Sequence, residues 1–212
     1  MKNVYVYVLD TLADWELGYV MAELNTGRFF KDQSEPIPVK TIGATHAPIT
    51  TMGGMRVTPA ATIAEVTDAT SAVLLLPGAD TWQEPKHRPI IEKASELVET
   101  GATVAAICGA TSALAQVGLL DKRPHTSNGL AYLKMVCPHY QGAAFYQEEK
   151  AVADGNLITA SSAGGLLFAR HVLARLGVFA EATLEAWYQY YHTGEEKYFY
   201  TMMQTLPQQN AD

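Results

Sequence analysis

Thr103-Val104-Ala105-Ala106-Ile107-Cys108-Gly109-Ala110-Thr111-Ser112-Ala113-Leu114 is the stretch on which the reading of this chain turns. A short apolar run of β-favouring residues stops at a cysteine, and small residues then open a helix. This is the pattern of a strand-to-helix turn that pushes one side chain out on a sharp, strained bend. Such a bend tolerates only small neighbours two positions away, here Ala106 and Ala110, with Gly109 directly after the thiol. A cysteine in that place has a chemical use. The positive end of a helix favours the thiolate and draws down a thiol pKa that is ordinarily about 8.5. The next backbone N–H is free to bind a developing oxyanion. The alternative is a cysteine that only fills the core, as many do.

Outward from the elbow, helices and strands alternate. Arg88 to Thr100 is an amphipathic helix with Ile90, Ile91, Ala94, Leu97 and Val98 on one face, ended by Gly101. Gly109 to Gly118 is the helix that follows Cys108. Ala72 to Leu76 is a continuous apolar run, as expected of a strand buried on both faces, and it stops at Pro77-Gly78-Ala79-Asp80. Val4 to Leu9 is the first strand. Asp14 then suits the N-cap of a helix whose Leu17, Val20, Met21 and Leu24 share a face, and Asn25-Thr26-Gly27 stops it. Alternation at this spacing predicts βαβ units, a mainly parallel sheet and an α/β fold. Ligands of such sheets sit outside the carboxyl ends of the strands. Glu16, Gly78 and Cys108 each follow a different strand end, so they are expected to converge. For Glu16 the plain alternative is an acid compensating the dipole in the first helical turn. For Pro77-Gly78 it is a mere strand terminator.

The remaining elements are subsidiary. Ile37 to Ile42 is a second strand, and Ile49 to Thr58 is a hairpin folded at Met52-Gly53-Gly54. Asn128 to Val136 is a short helix. Ala151-Val152-Ala153 and Leu157-Ile158-Thr159-Ala160 flank a turn at Asp154-Gly155-Asn156, and Ala163-Gly164-Gly165 opens a helix reaching Leu176-Gly177. The small residues there fit close packing of the helix end on the sheet. An aromatic-rich tail at about 181–205 carries Trp187, Tyr188, Tyr190, Tyr191, Tyr198, Phe199 and Tyr200. It reads as a helical pair covering the domain's own core or as a subunit contact, the former being the commoner outcome.

Composition narrows the class. A chain of 212 residues with 48% hydrophobic and 17% charged content suits one domain, 1–212, with a sizeable core. A net charge of −7 without a basic cluster argues against nucleic acid and anionic membranes as partners. Cys108 and Cys137 form no disulfide framework, no signal peptide is recognised, and no apolar run is long enough to span a membrane. A cytoplasmic location with reduced thiols is expected. Cys137-Pro138-His139 is the nearest approach to a metal pair and offers too few ligands, so no metal and no cofactor are expected.

Asp14-Trp15-Glu16, Leu76-Pro77-Gly78-Ala79, Ala105-Ala106-Ile107-Cys108-Gly109-Ala110, Gly118-Leu119-Leu120-Asp121 and Asp154-Gly155-Asn156-Leu157-Ile158-Thr159 occur in an order that resembles the ThiJ/PfpI superfamily of class I glutamine amidotransferase-like proteins. The resemblance runs over residues 4–177. It implies a flavodoxin-like three-layer sandwich, a nucleophilic Cys108, and a hydrogen bond between Glu16 and the thiol. It also implies an oxyanion pocket from the backbone of Gly78 and Gly109, a small-molecule substrate, and a homodimer. Many members carry a histidine at the end of a Thr-Ser/Thr-His run after the Gly-Leu-Leu segment. Here the run is Arg123-Pro124-His125-Thr126-Ser127-Asn128, which puts Ser127 or Asn128 in that place. His125, two or three residues out of register, is a candidate partner of Cys108; its alternative is a surface-loop histidine. Members include amidases or proteases, glyoxalases and deglycases, and isonitrile hydratases. The expected function is therefore a cysteine-dependent enzyme acting on a small carbonyl, amide or nitrile-like group. The alternative is a thiol redox sensor or stress chaperone that uses the same cysteine.

Overall fold

The computed structural model describes residues 3–32, 35–66 and 72–207. Its centre is a seven-stranded sheet built from β1 (Asn3–Tyr7), β2 (Val39–Gly43), β5 (Ala61–Thr62), β6 (Ala72–Leu76), β7 (Thr103–Ile107), β8 (Ala151–Asp154) and β9 (Leu157–Ala160). The spatial order is β5-β2-β1-β6-β7-β9-β8. Every pairing is parallel except β8 with β9, where the turn residue Gly155 takes φ 59°. A separate antiparallel ribbon joins β3 (Ile49–Thr50) to β4 (Arg56–Val57) through the Met52-Gly53-Gly54 turn. β5, a two-residue edge strand, has too little pattern to be seen in the sequence.

Side chains alternate across the sheet with the period of two that strands impose. Val4, Val6, Val73, Leu75, Ala105 and Ile107 face one layer of core. Tyr5, Tyr7, Leu74, Leu76, Val104 and Ala106 face the other. The first layer is closed by α1 (Gly18–Thr26) and by α5 (Gly165–Leu176), α6 (Glu181–Thr193) and α7 (Glu196–Gln204). The second is closed by α2 (Arg88–Glu99), α3 (Gly109–Gln116) and α4 (Leu130–Val136). The result is a flavodoxin-like α/β sandwich. Its aromatic tail covers the protein's own core: Trp187 is fully buried, and its indole N–H donates to Glu23 Oε1 over 2.9 Å.

The chain moves outward from β1 to β2 and β5, then returns to lay β6 on the other side of β1. The carboxyl ends of β1 and β6 thus flank the point where strand order reverses, the place where doubly wound sheets open a crevice. Two local expectations need correction here. Helix α1 begins at Gly18 with Leu17 at its N-cap and no side-chain cap. Asp14 is not that cap; its Oδ2 instead accepts the N–H of Gly53 at 2.6 Å and ties the hairpin tip to the loop after β1. Glu16 consequently lies ahead of the helix, outside its first turn, so dipole compensation does not explain it.

Candidate active site

β7 delivers Cys108 to the carboxyl edge of the sheet, and α3 starts at the next residue. Cys108 takes φ 57° and ψ −124°, a positive φ for a residue with a side chain. Such a conformation costs roughly 1–3 kcal/mol and persists only where its surroundings enforce it. They do so at both ends. The Cys108 N–H donates to Ala160 O of β9 at 2.9 Å, and its carbonyl accepts from the Thr111 N–H at 3.1 Å and the Thr111 hydroxyl at 2.6 Å. The elbow expected from the sequence is present.

Glu16 comes from the loop after β1 and is fully buried. Its loop and the turn after β6 grip each other: the Ala13 N–H donates to Gly78 O at 2.9 Å, and the Gly78 N–H donates to Glu16 Oε2 at 2.6 Å. Glycine is required at 78, because a Cβ there would lie 2.7 Å from the Cys108 Cβ and from both Glu16 oxygens. Gly165, at the start of α5, likewise lets the helix approach; a Cβ would sit 3.1 Å from the Glu16 carbonyl. Glu16 Oε1 meets no N–H or O–H donor among the described residues. Cys108 lies beside it: the Cys108 Cβ and both Glu16 oxygens crowd the same point above the Gly78 Cα.

Burial pushes the Glu16 carboxyl above the usual carboxylate range, against the pull of the Gly78 N–H and of Cys108. Burial also pushes the Cys108 thiol up. On the thiol the Asn128 amide pulls the other way, the charge and hydrogen bond of Glu16 push up, and the Gly109 N–H pulls down. The helix N-terminus alone therefore does not lower the thiol, as the sequence had suggested. Two acids held this close in a dry place disfavour double ionisation. With its proton retained, the Glu16 carboxyl can act as a hydrogen-bond donor.

Two expected residues stand differently. The Gly78 N–H is engaged by Glu16 and is not free for an oxyanion. The next N–H, that of Ala79, carries no hydrogen bond among the described residues, and Ala79 packs on the backbone of Gly109. His125 is neither a surface residue nor directed at the thiol. It is fully buried, with Nδ1 bonded to Arg123 O and Nε2 to the Tyr140 hydroxyl, both at 2.6 Å. Its rings of contact are Tyr140 and Tyr146. The side chain that reaches the sulfur from this segment is Asn128, whose Nδ2 donates to Cys108 Sγ at 3.2 Å. The sequence puts Ser127 or Asn128 in the histidine's place and assigns a role to neither.

A cleft of about 360 Å³ opens beside Gly109 and Ala79, walled by Trp82, Tyr132 and Val136. A larger apolar depression, about 700 Å³, lies at the other end of the sheet along Val4, Tyr5 and Pro36 to Thr41, away from the cysteine. No cluster of three or more histidine, cysteine or acidic side chains that could hold a metal occurs among the described residues.

A mainly parallel α/β sandwich, with a cysteine on a strained strand-to-helix turn and a buried glutamate beside it, defines a class of flavodoxin-like proteins with a cysteine at the elbow. The chain belongs within it to the DJ-1/PfpI family, whose model matches residues 2–175. It is similar to the Bacillus subtilis protein named "uncharacterized protease YoaZ", with 45% identity over 97% of this chain and 98% of that one. Among solved structures it is similar to the thiJ/pfpI family protein from Bacillus anthracis, with a TM-score of 0.95, 46% identity, and 98% of each chain covered. The DJ-1 superfamily protein Atu0886 from Agrobacterium tumefaciens is more distant, with a TM-score of 0.78 and 28% identity over 92% of this chain and 99% of that one.

Proposed function

We propose that the chain is a cysteine-dependent enzyme in which the Cys108 sulfur adds to the carbon of a small carbonyl, amide or nitrile-like substrate. The observation that carries this reading is the pairing itself. A cysteine strained at φ 57° faces a fully buried carboxyl with one unpartnered oxygen. Strain and an incompletely satisfied buried acid each destabilise a fold, and neither has a packing benefit that alanine and glutamine would not supply. In the addition step a sulfur–carbon bond forms, and the substrate's π electrons move to its oxygen or nitrogen. The proton shared by Glu16 and Cys108 passes to that atom. The N–H groups of Gly109 and Ala79 are the donors for the developing charge, Ala79 taking the part expected of Gly78. Ala79 and Gly109 also line the cleft of about 360 Å³, a size that suits a small molecule, although Cys108 itself does not line it. The word protease in the name of the Bacillus subtilis relative agrees with the amide branch.

The test is a turnover panel of methylglyoxal, short peptide amides and isonitriles, with wild type and Cys108→Ser side by side. Turnover of at least one substrate, abolished in Cys108→Ser, is expected. No turnover of any of them, together with oxygen addition at Cys108 under mild peroxide, would replace the enzyme by a thiol sensor.

A further inference from the structure

Asn128 sits where a side-chain amide has only one useful orientation. Its Oδ1 accepts the N–H of Ser162 at 2.9 Å, at the junction between β9 and α5. An amide whose oxygen is held by a backbone donor must present its NH₂ on the other side, and there it meets Cys108 Sγ at 3.2 Å. The segment carrying Asn128 is itself fixed. The Thr126 N–H donates to Thr159 Oγ1 at 2.9 Å, and the Thr126 hydroxyl donates to Glu149 O at 2.8 Å. Ser127 Oγ lies 2.7 Å from Thr111 Oγ1. Because the Thr111 hydroxyl already donates to the Cys108 carbonyl, Ser127 is the donor of that pair. The elbow and the 126–128 segment are thus one hydrogen-bonded unit, and His125 is locked facing Tyr140 and Tyr146.

We propose that Asn128, oriented by the Ser162 N–H, is a catalytic hydrogen-bond donor of fixed polarity that stabilises the Cys108 thiolate and accepts no proton. This deepens the proposed function and rests on it only for the word catalytic. An imidazole in this place would act as both donor and base; an amide held this way is a donor alone. The groups bearing on the sulfur are then the Asn128 amide, the Gly109 N–H and Glu16, and Glu16 is the one that titrates. The approach to α5 and its first turn, Ser161 to Phe168, carry no charge; the charged and titratable groups of that helix, Arg170, His171 and Arg175, lie further along it. Proton movement therefore falls to Glu16, and the thiol's ionisation is set jointly by a fixed donor and a movable one.

The experiment measures the pH dependence of Cys108 alkylation by iodoacetamide, read by peptide mass spectrometry so that Cys137 is scored separately. Asn128→Ala removes the donor. Asn128→Asp keeps the shape and replaces the donor by an anion. Ser162→Pro deletes the N–H that orients the amide, together with the serine hydroxyl; it sits at the first position of a 3-10 turn, after a residue already extended at φ −78° and ψ 164°, which suits proline. The midpoint is expected to rise by about one pH unit in Asn128→Ala, more in Asn128→Asp, and by a smaller amount in Ser162→Pro. A midpoint unchanged in both Asn128→Ala and Asn128→Asp, with circular dichroism as in wild type, would overturn the proposal. Should the alanine variant fail to fold, the proline variant decides: an unshifted midpoint there has the same consequence. Because alkylation reads the thiol and not turnover, loss of the enzyme reading leaves these shifts intact, and loss of these shifts leaves the turnover panel intact.

Discussion

At the scale of single residues, the proposed chemistry turns on one proton between two acids. Glu16 and Cys108 are both pushed up by burial, and they lie side by side over Gly78. Glu16→Gln keeps an acceptor for the Gly78 N–H and a donor for sulfur while removing the movable proton. Alkylation of Cys108 should then lose its dependence on a second ionisation, and turnover should fall about 10²-fold or more, as for a general acid removed. Steady-state kinetics beside the alkylation profile check both. Gly78→Ala should be more damaging, since its Cβ would collide with the Cys108 Cβ and the Glu16 carboxyl at 2.7 Å. It should abolish turnover and lower the melting temperature together. Residue identities were legible where the signal was local: Cys108 and Gly109 lie in one strand-to-helix pattern, and Glu16 follows a strand end. The use of the Gly78 N–H was not legible, because its acceptor lies 62 positions away in the chain. His125 was misjudged for the same reason, its burial depending on Tyr140 and Tyr146 folding over it.

At the scale of elements, loops are held to one another by side chains that look like ordinary caps in the sequence. Asp14 has the character of a helix N-cap, yet α1 starts four residues later and Asp14 holds Gly53. Hydrogen exchange separates the two roles. In Asp14→Ala the amides of Gly53 and its neighbours should exchange faster, while those of α1 stay protected. A helix cap would behave the other way. The tail helix α6 is fastened by the buried acid Glu23, which also takes two hydrogen bonds from Arg28, at 3.0 and 2.6 Å. Trp187→Phe removes the indole donor to this carboxylate and, with it, one of the two rings of a fully buried side chain. It should destabilise by at least about 1.5–3 kcal/mol, the range for a hydrogen bond to a charged group, with the cavity adding to it, in a urea unfolding curve with unchanged m. Helices and hairpins were visible from periodicity and paired turn residues. Their partners were not, since a hydrophobic face says that it is covered without saying by what.

At the scale of the whole molecule, the strand order puts the loops after β1 and β6 at the reversal point, with the elbow after β7 beside them. The parallel sheet and the convergence of Glu16, Gly78 and Cys108 followed from alternation alone. The charge arrangement within this frame predicts opposing pH effects on stability. The folded-state pKa of Glu16 lies above its unfolded value, so its contribution is full in acid and fades as pH rises through the folded pKa. His87 and His125 are held below 6.5 by burial, so theirs is full at neutral pH and is lost as pH falls below 6.5. Thermal scans should show Glu16→Gln melting higher than wild type at pH 8 and the advantage shrinking toward pH 4. A gain of about 1 kcal/mol corresponds to about 2–4 °C in a chain of this length. Removing both partners of the Tyr7 hydroxyl bond to His87, in Tyr7→Phe/His87→Leu, should flatten the acid limb. The most direct measurement of the central claim is to quench a single turnover with the accepted substrate and map the covalent adduct by mass spectrometry. The adduct is predicted on Cys108, forming at least about tenfold more slowly in Glu16→Gln; an adduct on Cys137, or undiminished turnover in Cys108→Ser, would contradict it.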